Sequence, residues 1–224
     1  MGGSGNNSVD VVLCTPHGRQ FGVLFVRDAG MRGRDRGRDR WRLPSAPAGT
    51  GATLDATAAH LALQASGARA GWMAQAGAFA STRRGTSATI TVVYAAVAPP
   101  APHAPPAGSR WFPSATLPPL DAAQKTIVRA ALAQLRDRLD RAPVAFKLLP
   151  PTFTLGELQA IYEVLLGRRL HKASFRRALT AAFLVAPTDE WRSEGRGRPA
   201  QLFRYAPRKR RGGRGGVRFE LLGG

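Results

Sequence analysis

Apolar residues recur at spacings of three and four over residues 155–166, which predicts an amphipathic helix with one buried face. Thr154 precedes this run and Glu157 follows three residues later, a spacing that predicts a capping box at the start of the helix. Gly167 predicts its end. The apolar positions are Leu155, Leu158, Ile161, Tyr162, Leu165 and Leu166.

A second helix is predicted after a short turn, over residues 172–183. Its inner side is expected to carry Phe175, Leu179, Ala182 and Phe183. In a helix-turn-helix the second helix lies in the DNA major groove, where arginine and lysine pair with guanine. The predicted contact residues of the turn and outer side are Arg168, Lys172, Ser174, Arg176 and Arg177. A solvated basic face, or a winged helix that contacts protein, remains the alternative.

Two apolar arms flank a segment rich in glycine and arginine at residues 194–199, which predicts a hairpin with a cationic tip. The arms carry Val185, Trp191, Leu202, Phe203 and Tyr205. Arg196 and Arg198 are expected to contact phosphates or to enter a minor groove. Helix, helix and hairpin follow in the order of a winged helix, so residues 144–206 are predicted to form a DNA-binding winged-helix domain.

The N-terminal half predicts an α+β domain over residues 1–115. The expected elements are a hairpin over 9–13 and 21–26, a helix over 54–65 closed by Gly67, and strands over 72–79 and 87–97. Asp121 and Gln124 predict another capping box, which opens a connecting helix within residues 116–143. That helix could relay a ligand-induced shift, form a dimer contact, or simply pack.

Three further segments are predicted to lack regular structure. Residues 32–40 repeat Arg-Gly-Arg-Asp and predict a mobile loop, with nucleic-acid contact as the alternative. Residues 99–108 are rich in proline and alanine and predict a linker or long loop, and residues 207–224 predict a disordered basic tail. Such a tail would add affinity for nucleic acid that salt weakens.

Charge points to a polyanionic partner, since the 224 residues carry a formal net charge of +19. Residues 144–224 hold 16 Lys and Arg against 6 Asp and Glu. The bias towards arginine, alanine, glycine and proline could also reflect a GC-rich genome. No long apolar stretch predicts a membrane span and the N-terminus does not resemble a signal peptide, so a cytoplasmic, nucleoid-associated protein is expected. Cys14 is expected in the core, and no histidine or cysteine spacing indicates a metal site.

Several segments carry a resemblance to the Nudix-related transcriptional regulators of the NrtR family. Residues 153–159, 175–177, 187–188, 197–200 and 202–205 look like the winged-helix half of that family, residues 41–44, 75–79 and 111–113 are similar to its Nudix-like half, and residues 145–150 resemble its junction. The resemblance implies a Nudix-like mixed-sheet domain followed by a winged helix-turn-helix. It covers nearly the whole chain and is more specific in the C-terminal half.

The same resemblance implies a dimeric bacterial repressor whose Nudix-like domain senses a nucleotide-derived metabolite. In the best-known branch the effector is ADP-ribose and the operator is a palindrome near genes of NAD metabolism. Other branches of similar architecture control sugar-utilisation genes. Two alternatives stay open: a Nudix hydrolase acting on ADP-ribose or similar nucleoside diphosphates, and a nonspecific nucleic-acid-binding protein.

The residues argue against hydrolysis, because the Nudix motif needs several carboxylates on one helical face to hold Mg²⁺ and activate water. Aligned with that motif, the corresponding positions are His60, Leu61, Gln64 and Ala65. The glycines after Leu-Pro are replaced by Ser45 and Ala46, Asp55 is the sole acidic residue from 41 to 120, and no glutamate precedes Glu157. His60 is therefore read as a packing or surface residue, and no cofactor is expected.

A pyrophosphate-containing effector would then need cations in place of the metal. The candidates are Arg42, Arg83 and Arg84, with Trp41 or Phe79 as stacking partners for an adenine or as pocket lining. The alternative is that both aromatic residues are core and the arginines are solvated.

Overall fold

The computed structural model describes residues 7–17, 20–28, 40–49, 51–81, 88–99, 104–138, 144–193 and 198–207. The chain forms two compact units, one of residues 1–17 and 21–135 and the other of residues 18–20 and 136–224. Several predicted features lie outside the described residues: the Arg-Gly-Arg-Asp repeat up to residue 39, Arg83, Arg84, Arg196, and the basic tail beyond residue 207.

The elements up to residue 138 are β1 Ser8–His17, β2 Gln20–Arg27, β3 Trp41–Arg42, β4 Ser45–Pro47, α1 Leu54–Ser66, β5 Trp72–Ser81, β6 Thr89–Val97, β7 Ser109–Pro113 and α2 Ala122–Arg138. After them come a 3-10 helix Ala145–Leu148, β8 Thr152–Thr154, α3 Leu155–Leu166, α4 Lys172–Ala182, β9 Val185–Arg192 and β10 Ala200–Tyr205. None of the helices in the described part of the chain is long and apolar enough to cross a membrane.

The first unit is built on a mixed sheet with the strand order β3-β2-β1-β6-β5, to which β4 adds at β1 and β7 at β2. β1 and β6 pair in parallel, with Val9 opposite Val92 and Cys14 opposite Val97. Residues 11–14 of β1 are all buried, as expected for a central strand that is covered on both faces. Cys14 lies in this core, as predicted. The fold is therefore the α+β, Nudix-like mixed sheet that the sequence predicts.

Helix α1 packs on this sheet through Ala58, Leu61, Ala62 and Ala65. Its caps explain its bounds. The side chain of Thr53 accepts a hydrogen bond from the Ala56 amide, and Gly67 ends the helix in the left-handed conformation at φ 75°. The predicted helix over residues 54–65 is thus confirmed and extends to Ser66.

Tyr94 ties the first turn of α1 to strand β6. Its hydroxyl donates a 2.5 Å hydrogen bond to Oδ1 of Asp55, and its side chain is almost fully buried. Burial, and then the hydrogen bond and negative charge of Asp55, raise the pKa of Tyr94 to about 12. The tyrosine therefore stays neutral and remains a donor well above neutral pH.

Replacing Tyr94 by phenylalanine should lower the free energy of unfolding by about 1.5 kcal/mol at pH 7, because a hydrogen bond to a charged acceptor is lost while the ring stays packed. The raised pKa fixes the pH dependence of this difference. The contribution is fully present below the ordinary pKa of 10.0 and disappears as the pH rises through about 12. Urea unfolding of wild type and Tyr94→Phe measures it. Tyr205→Phe, at an exposed position, is the control and should change stability by less than about 0.5 kcal/mol.

Helix α2 begins as predicted, with Asp121 accepting a 2.7 Å hydrogen bond from the Gln124 amide. Its apolar face is buried. The helix is described to Arg138, so the last part of the predicted span, up to residue 143, lies outside the described residues. A relay or dimer role for this helix stays a prediction.

The second unit places α3 and α4 beside a small antiparallel sheet of order β8-β10-β9. The capping box of α3 is present, since Thr154 accepts from the Glu157 amide at 3.1 Å and Glu157 accepts from the Thr154 amide at 2.7 Å. Phe175 and Leu179 of α4 are buried as predicted. Two helices followed by a sheet hairpin form a winged helix.

Phe183 corrects one prediction. It was expected on the inner side of the second helix, but 48% of it is exposed. The helix ends at Ala182, and Phe183 caps it with a φ of 51°. The chain leaves the helix in this left-handed conformation, so the helical spacing that predicted burial no longer applies.

Candidate functional site

A groove of about 780 Å³ lies in the second unit between the start of α4 and the hairpin of β9 and β10. Its lining residues are Thr154, Leu155, Gly156, Lys172, Arg176, Trp191, Arg198, Pro199, Ala200, Gln201 and Phe203. Three of them are cations and none is acidic. We call this the α4–wing groove.

Three of the predicted DNA-binding residues meet at this groove. Lys172 and Arg176 lie one helical turn apart on α4, and Arg198 lies where the chain enters β10. All three are exposed. Helix and hairpin thus offer cations to one groove, an arrangement suited to a phosphate backbone.

The other predicted DNA-binding residues lie around this groove rather than in its lining. Arg177 is exposed on α4, and Arg168 is exposed in the turn before that helix. Ser174 is half-buried, with its hydroxyl 3.3 Å from Nδ1 of His171. Arg196 lies outside the described residues.

The groove residues that were not predicted as DNA contacts include Trp191 and Gln201. Trp191 was assigned to an apolar arm of the hairpin, yet 62% of it is exposed. It pairs with Gln201 across β9 and β10. The apolar composition of a short hairpin strand does not show which of its side chains are buried. The sequence therefore did not predict that Trp191 and Gln201 line the groove.

The hairpin is held in place by Arg192. Its Nη1 donates to Oε1 of Glu157 at 2.8 Å, and its Nη2 lies 3.5 Å from the carbonyl oxygen of Thr152. Glu157 therefore serves two purposes, because its other carboxylate oxygen accepts from the amide of Thr154 in the capping box. One carboxylate fixes the start of α3 and the position of β9.

Replacing Arg192 by methionine should cost about 0.5–1 kcal/mol of unfolding free energy, the usual value for a partly exposed ion pair. Its effect on DNA affinity should be a loss of several-fold, because the hairpin is no longer fixed against α3. Thermal unfolding and fluorescence anisotropy with labelled DNA measure the two effects. Arg204→Met removes an exposed arginine of β10 and is the control for charge. Equal affinities of the two variants would show that the ion pair does not position the hairpin.

A second hydrogen-bond cluster fixes the turn between α3 and α4. Nε2 of Gln159 donates to Oε1 of Glu163 and to the carbonyl of Leu170, and the Leu170 amide donates to the same Glu163 oxygen, each at 2.9 Å. Leu170 itself is buried. The turn therefore has defined geometry, and α4 starts at a fixed place relative to α3.

The first unit contains a cleft of about 310 Å³. Its lining residues are Val26, Arg27, Arg42, Pro44, Ser45, Leu61, Gln64, Ala65, Ala107, Gly108 and Ser109. Arg42 lies 3.8 Å from a carboxylate oxygen of Asp28, and the guanidinium of Arg27 lies 5.8 Å from the ring centre of Trp41. We call this the arginine cleft.

Aromatic and polar contacts support the arginine cleft. The ring of Trp41 packs edge-on against Phe112, with centres 5.1 Å apart. Ser45 donates a 2.6 Å hydrogen bond to Asp10. Burial raises the pKa of the Asp10 carboxyl above its ordinary value, against the lowering effects of the Ser45 hydrogen bond and the Arg42 charge.

The arginine cleft does not suit Mg²⁺, which requires carboxylate or phosphate oxygens. The lining includes Leu61, Gln64 and Ala65, the three residues predicted to replace the Nudix carboxylates, and its described residues include no acidic side chain. Within the described residues no group of three or more His, Cys, Asp or Glu side chains could hold a metal ion. His60 is exposed on α1.

Comparison with known proteins agrees with both halves of this structure. The family described as the NrtR DNA-binding winged helix domain matches residues 145–205. The crystal structure of Shewanella oneidensis NrtR complexed with a 27mer DNA is 26% identical, with a TM-score of 0.71, and the similarity covers 89% of this chain and 93% of that one. Residues 145–205 therefore form a winged helix domain of the NrtR type.

Two further proteins are similar to this chain. The ADPR responsive transcriptional repressor NtrR of Acinetobacter baylyi is 41% identical over 80 residues, which span 36% of this chain and 32% of that protein. The crystal structure of a MutT/nudix family protein from Enterococcus faecalis is 18% identical, with a TM-score of 0.69. The similarity covers 91% of this chain and 88% of that chain. The latter shows a shared fold alone.

The NrtR resemblance also led to Trp41, Arg42 and Phe79 as effector contacts, and the structure does not bring all three together. Trp41 and Arg42 form β3 at one end of the sheet, and Arg42 lines the arginine cleft. Phe79 is half-buried on β5, at the other end of the strand order. Phe79 was predicted only as an alternative to Trp41, and its role stays a prediction; Arg27 also lines the cleft and was not among the predicted residues. Arg83 and Arg84 lie outside the described residues.

Proposed function

We propose that this protein is a regulator of the NrtR type, a transcriptional repressor that binds an operator through its winged helix and releases it when a nucleotide-derived metabolite binds the Nudix-like unit. The α4–wing groove carries this proposal. It combines Lys172 and Arg176 on the helix that would enter the major groove with Arg198 on the hairpin beside it, and none of the described residues that line it is acidic. Acting on DNA, such a protein would work in the cytoplasm at the nucleoid.

ADP-ribose is the proposed effector, and a link to NAD metabolism follows from it. The name of the Acinetobacter baylyi relative supports this choice. In the arginine cleft, Arg27 and Arg42 would bind the diphosphate by charge-assisted hydrogen bonds. The cations would take the part that a metal plays in a Nudix hydrolase, so effector binding should not require Mg²⁺.

Hydrolysis is not part of the proposal. The cleft that would have to hold the metal offers Leu61, Gln64 and Ala65 where the Nudix motif has carboxylates. Without them no residue of the lining can activate water. We infer a sensor domain that retains the Nudix-like fold and lacks hydrolase activity.

The proposed regulator acts as a homodimer, because a palindromic operator is read by two copies of one recognition helix. For a rigid dimer these helices would have to lie one DNA turn apart, roughly 34 Å. Effector binding would change that spacing, provided that ADP-ribose prefers one state of the dimer over the other. Light scattering of the free protein and of its DNA complex tests the stoichiometry.

Binding to DNA from upstream of the protein's own gene tests the function. A labelled upstream fragment and labelled unrelated fragments are titrated in excess competitor DNA at fixed salt. Selective retention of the upstream fragment or of another genomic fragment supports a regulator. Equal affinity for every fragment would favour a general nucleic-acid-binding protein instead.

A further inference from the structure

Trp191 is an exposed aromatic residue on a strand that is otherwise firmly held. Its exposed fraction of 62% exceeds that of the other exposed large hydrophobic residues in the described part of the chain. The next residue, Arg192, is fixed to Glu157 by a 2.8 Å ion pair. The backbone that carries Trp191 is therefore positioned although its side chain is left in solvent.

The strand register places Trp191 in the α4–wing groove. Trp191 pairs directly with Gln201, and Phe203 lies two residues further along the same strand. The pairing of β9 with β10 shifts register between Gln201 and Phe203. Trp191, Gln201 and Phe203 all line the groove, which accordingly has an amphipathic surface of two aromatic residues and an amide.

The charges around this surface identify what would cover it. Lys172 and Arg176 approach from α4 and Arg198 from the hairpin, and no acidic side chain is found in the lining within the described part of the chain. A protein core or an apolar peptide would leave these three cations without counter-charge at a buried interface, which is costly. Duplex DNA supplies phosphates and base edges for the cations and the sugar surface of its backbone for the aromatic ring.

We propose that Trp191 packs against the sugar–phosphate backbone of duplex DNA that lies in the α4–wing groove, with its indole N–H available to a phosphate oxygen. The proposal rests on the proposed DNA-binding function and adds a contact that carries no charge. Such a contact strengthens binding to any duplex because it touches the backbone rather than a base edge. It would hold the DNA against the hairpin while α4 reads the sequence.

The lack of charge gives this contact a distinctive signature. Each arginine or lysine that neutralises a phosphate releases counterions, so its removal lowers the salt dependence of binding by about one unit of slope. A tryptophan contact releases no counterion when DNA binds, so its loss leaves the salt dependence unchanged. Trp191→Ala should therefore weaken binding roughly tenfold, on operator and unrelated duplex alike, with an unchanged slope.

The test uses the full chain with wild type, Trp191→Ala, Trp191→Phe and Arg198→Ala, which removes an expected phosphate contact, measured by fluorescence anisotropy over a series of salt concentrations. Ile90→Ala, another exposed apolar residue in the first unit, is the matched control and should bind like wild type. Trp191→Phe should lose about two- to threefold, because a smaller ring remains without the N–H donor. Circular dichroism confirms that each variant is folded.

Tryptophan fluorescence gives an independent reading. The difference in emission between wild type and Trp191→Phe isolates the signal of Trp191, and its quenching by acrylamide should fall when duplex DNA is added. Unchanged quenching in the DNA complex would overturn the proposal. So would a loss confined to the operator, which would mean base contact, or a shift of Trp191→Ala to a smaller assembly, which would mean that a second copy of the chain covers the residue.

The Trp191 contact and the regulator function can be distinguished by their outcomes. If wild type binds selectively and Trp191→Ala binds within twofold of it on all DNA, the role of Trp191 is wrong and the regulator stands. If wild type shows no preference for any genomic fragment while Trp191→Ala still loses tenfold, the contact stands and the regulator does not.

Discussion

Replacing Arg176 by alanine is expected to weaken binding to the operator by roughly 10- to 100-fold, the effect of losing about 1.4–2.8 kcal/mol of a guanidinium contact to a base. Arg176 is exposed on the proposed recognition helix α4, one turn after Lys172, and it lines the α4–wing groove. Binding to unrelated duplex should fall much less, because nonspecific binding lacks the base contact and retains the other cations.

Two arginine variants make the prediction about Arg176 specific. Arg69→Ala removes an exposed arginine of the first unit and should leave affinity unchanged, which controls for net charge. Arg177→Ala removes the neighbouring cation of α4, which lies outside the groove lining, and its effect tests how much of the helix face is read. Equal losses on operator and unrelated DNA for both α4 variants would show phosphate contact without base readout.

Replacing Phe175 by alanine should cost about 3–5 kcal/mol of unfolding free energy, the range for a fully buried phenylalanine. Phe175 is fully buried, and its ring lies 5.5 Å from that of Tyr162 in an edge-on contact. This packing is what joins α4 to α3. The loss should appear as a lower unfolding midpoint of the second unit and as a loss of DNA binding at temperatures where that unit unfolds.

Phe183 provides the matched control for Phe175 because it follows the same helix and is 48% exposed. Phe183→Ala should change stability by less than about 0.5 kcal/mol. Phe183→Gly should be slightly stabilising, since glycine takes the left-handed conformation of this cap without strain. A Phe175→Ala variant as stable as Phe183→Ala would contradict the assigned core of the winged helix.

The winged helix could be predicted from the sequence because its signals are local. Thr154 and Glu157 lie within one helical turn, and the apolar spacing of α3 identifies its buried face without any knowledge of the partner. The two hairpin strands β9 and β10 could likewise be predicted from their apolar residues. Strands β3, β4, β7 and β8, of two to five residues, were harder to foresee, since pairing such as Ser8 opposite Pro47 depends on contacts distant along the chain.

The candidate sites were predicted in part for the same reason. Charge and helical position identified Lys172 and Arg176, but the exposure of Trp191 follows from the pairing register of β9 and β10. Likewise, the sheet order decides that Arg27 and Arg42 share a cleft while Phe79 lies on a distant strand. Residue types predict which chemistry is available, and long-range topology decides which groups meet.

The most direct test of the account is a titration of ADP-ribose into a preformed complex of the protein with its selected genomic fragment, in the presence of EDTA. The account predicts that ADP-ribose dissociates the wild-type complex without a divalent cation, and that Arg42→Ala requires at least tenfold more ADP-ribose while binding DNA normally. An operator complex that is unaffected by ADP-ribose in EDTA, or one that Arg42→Ala releases as readily as wild type, would contradict it.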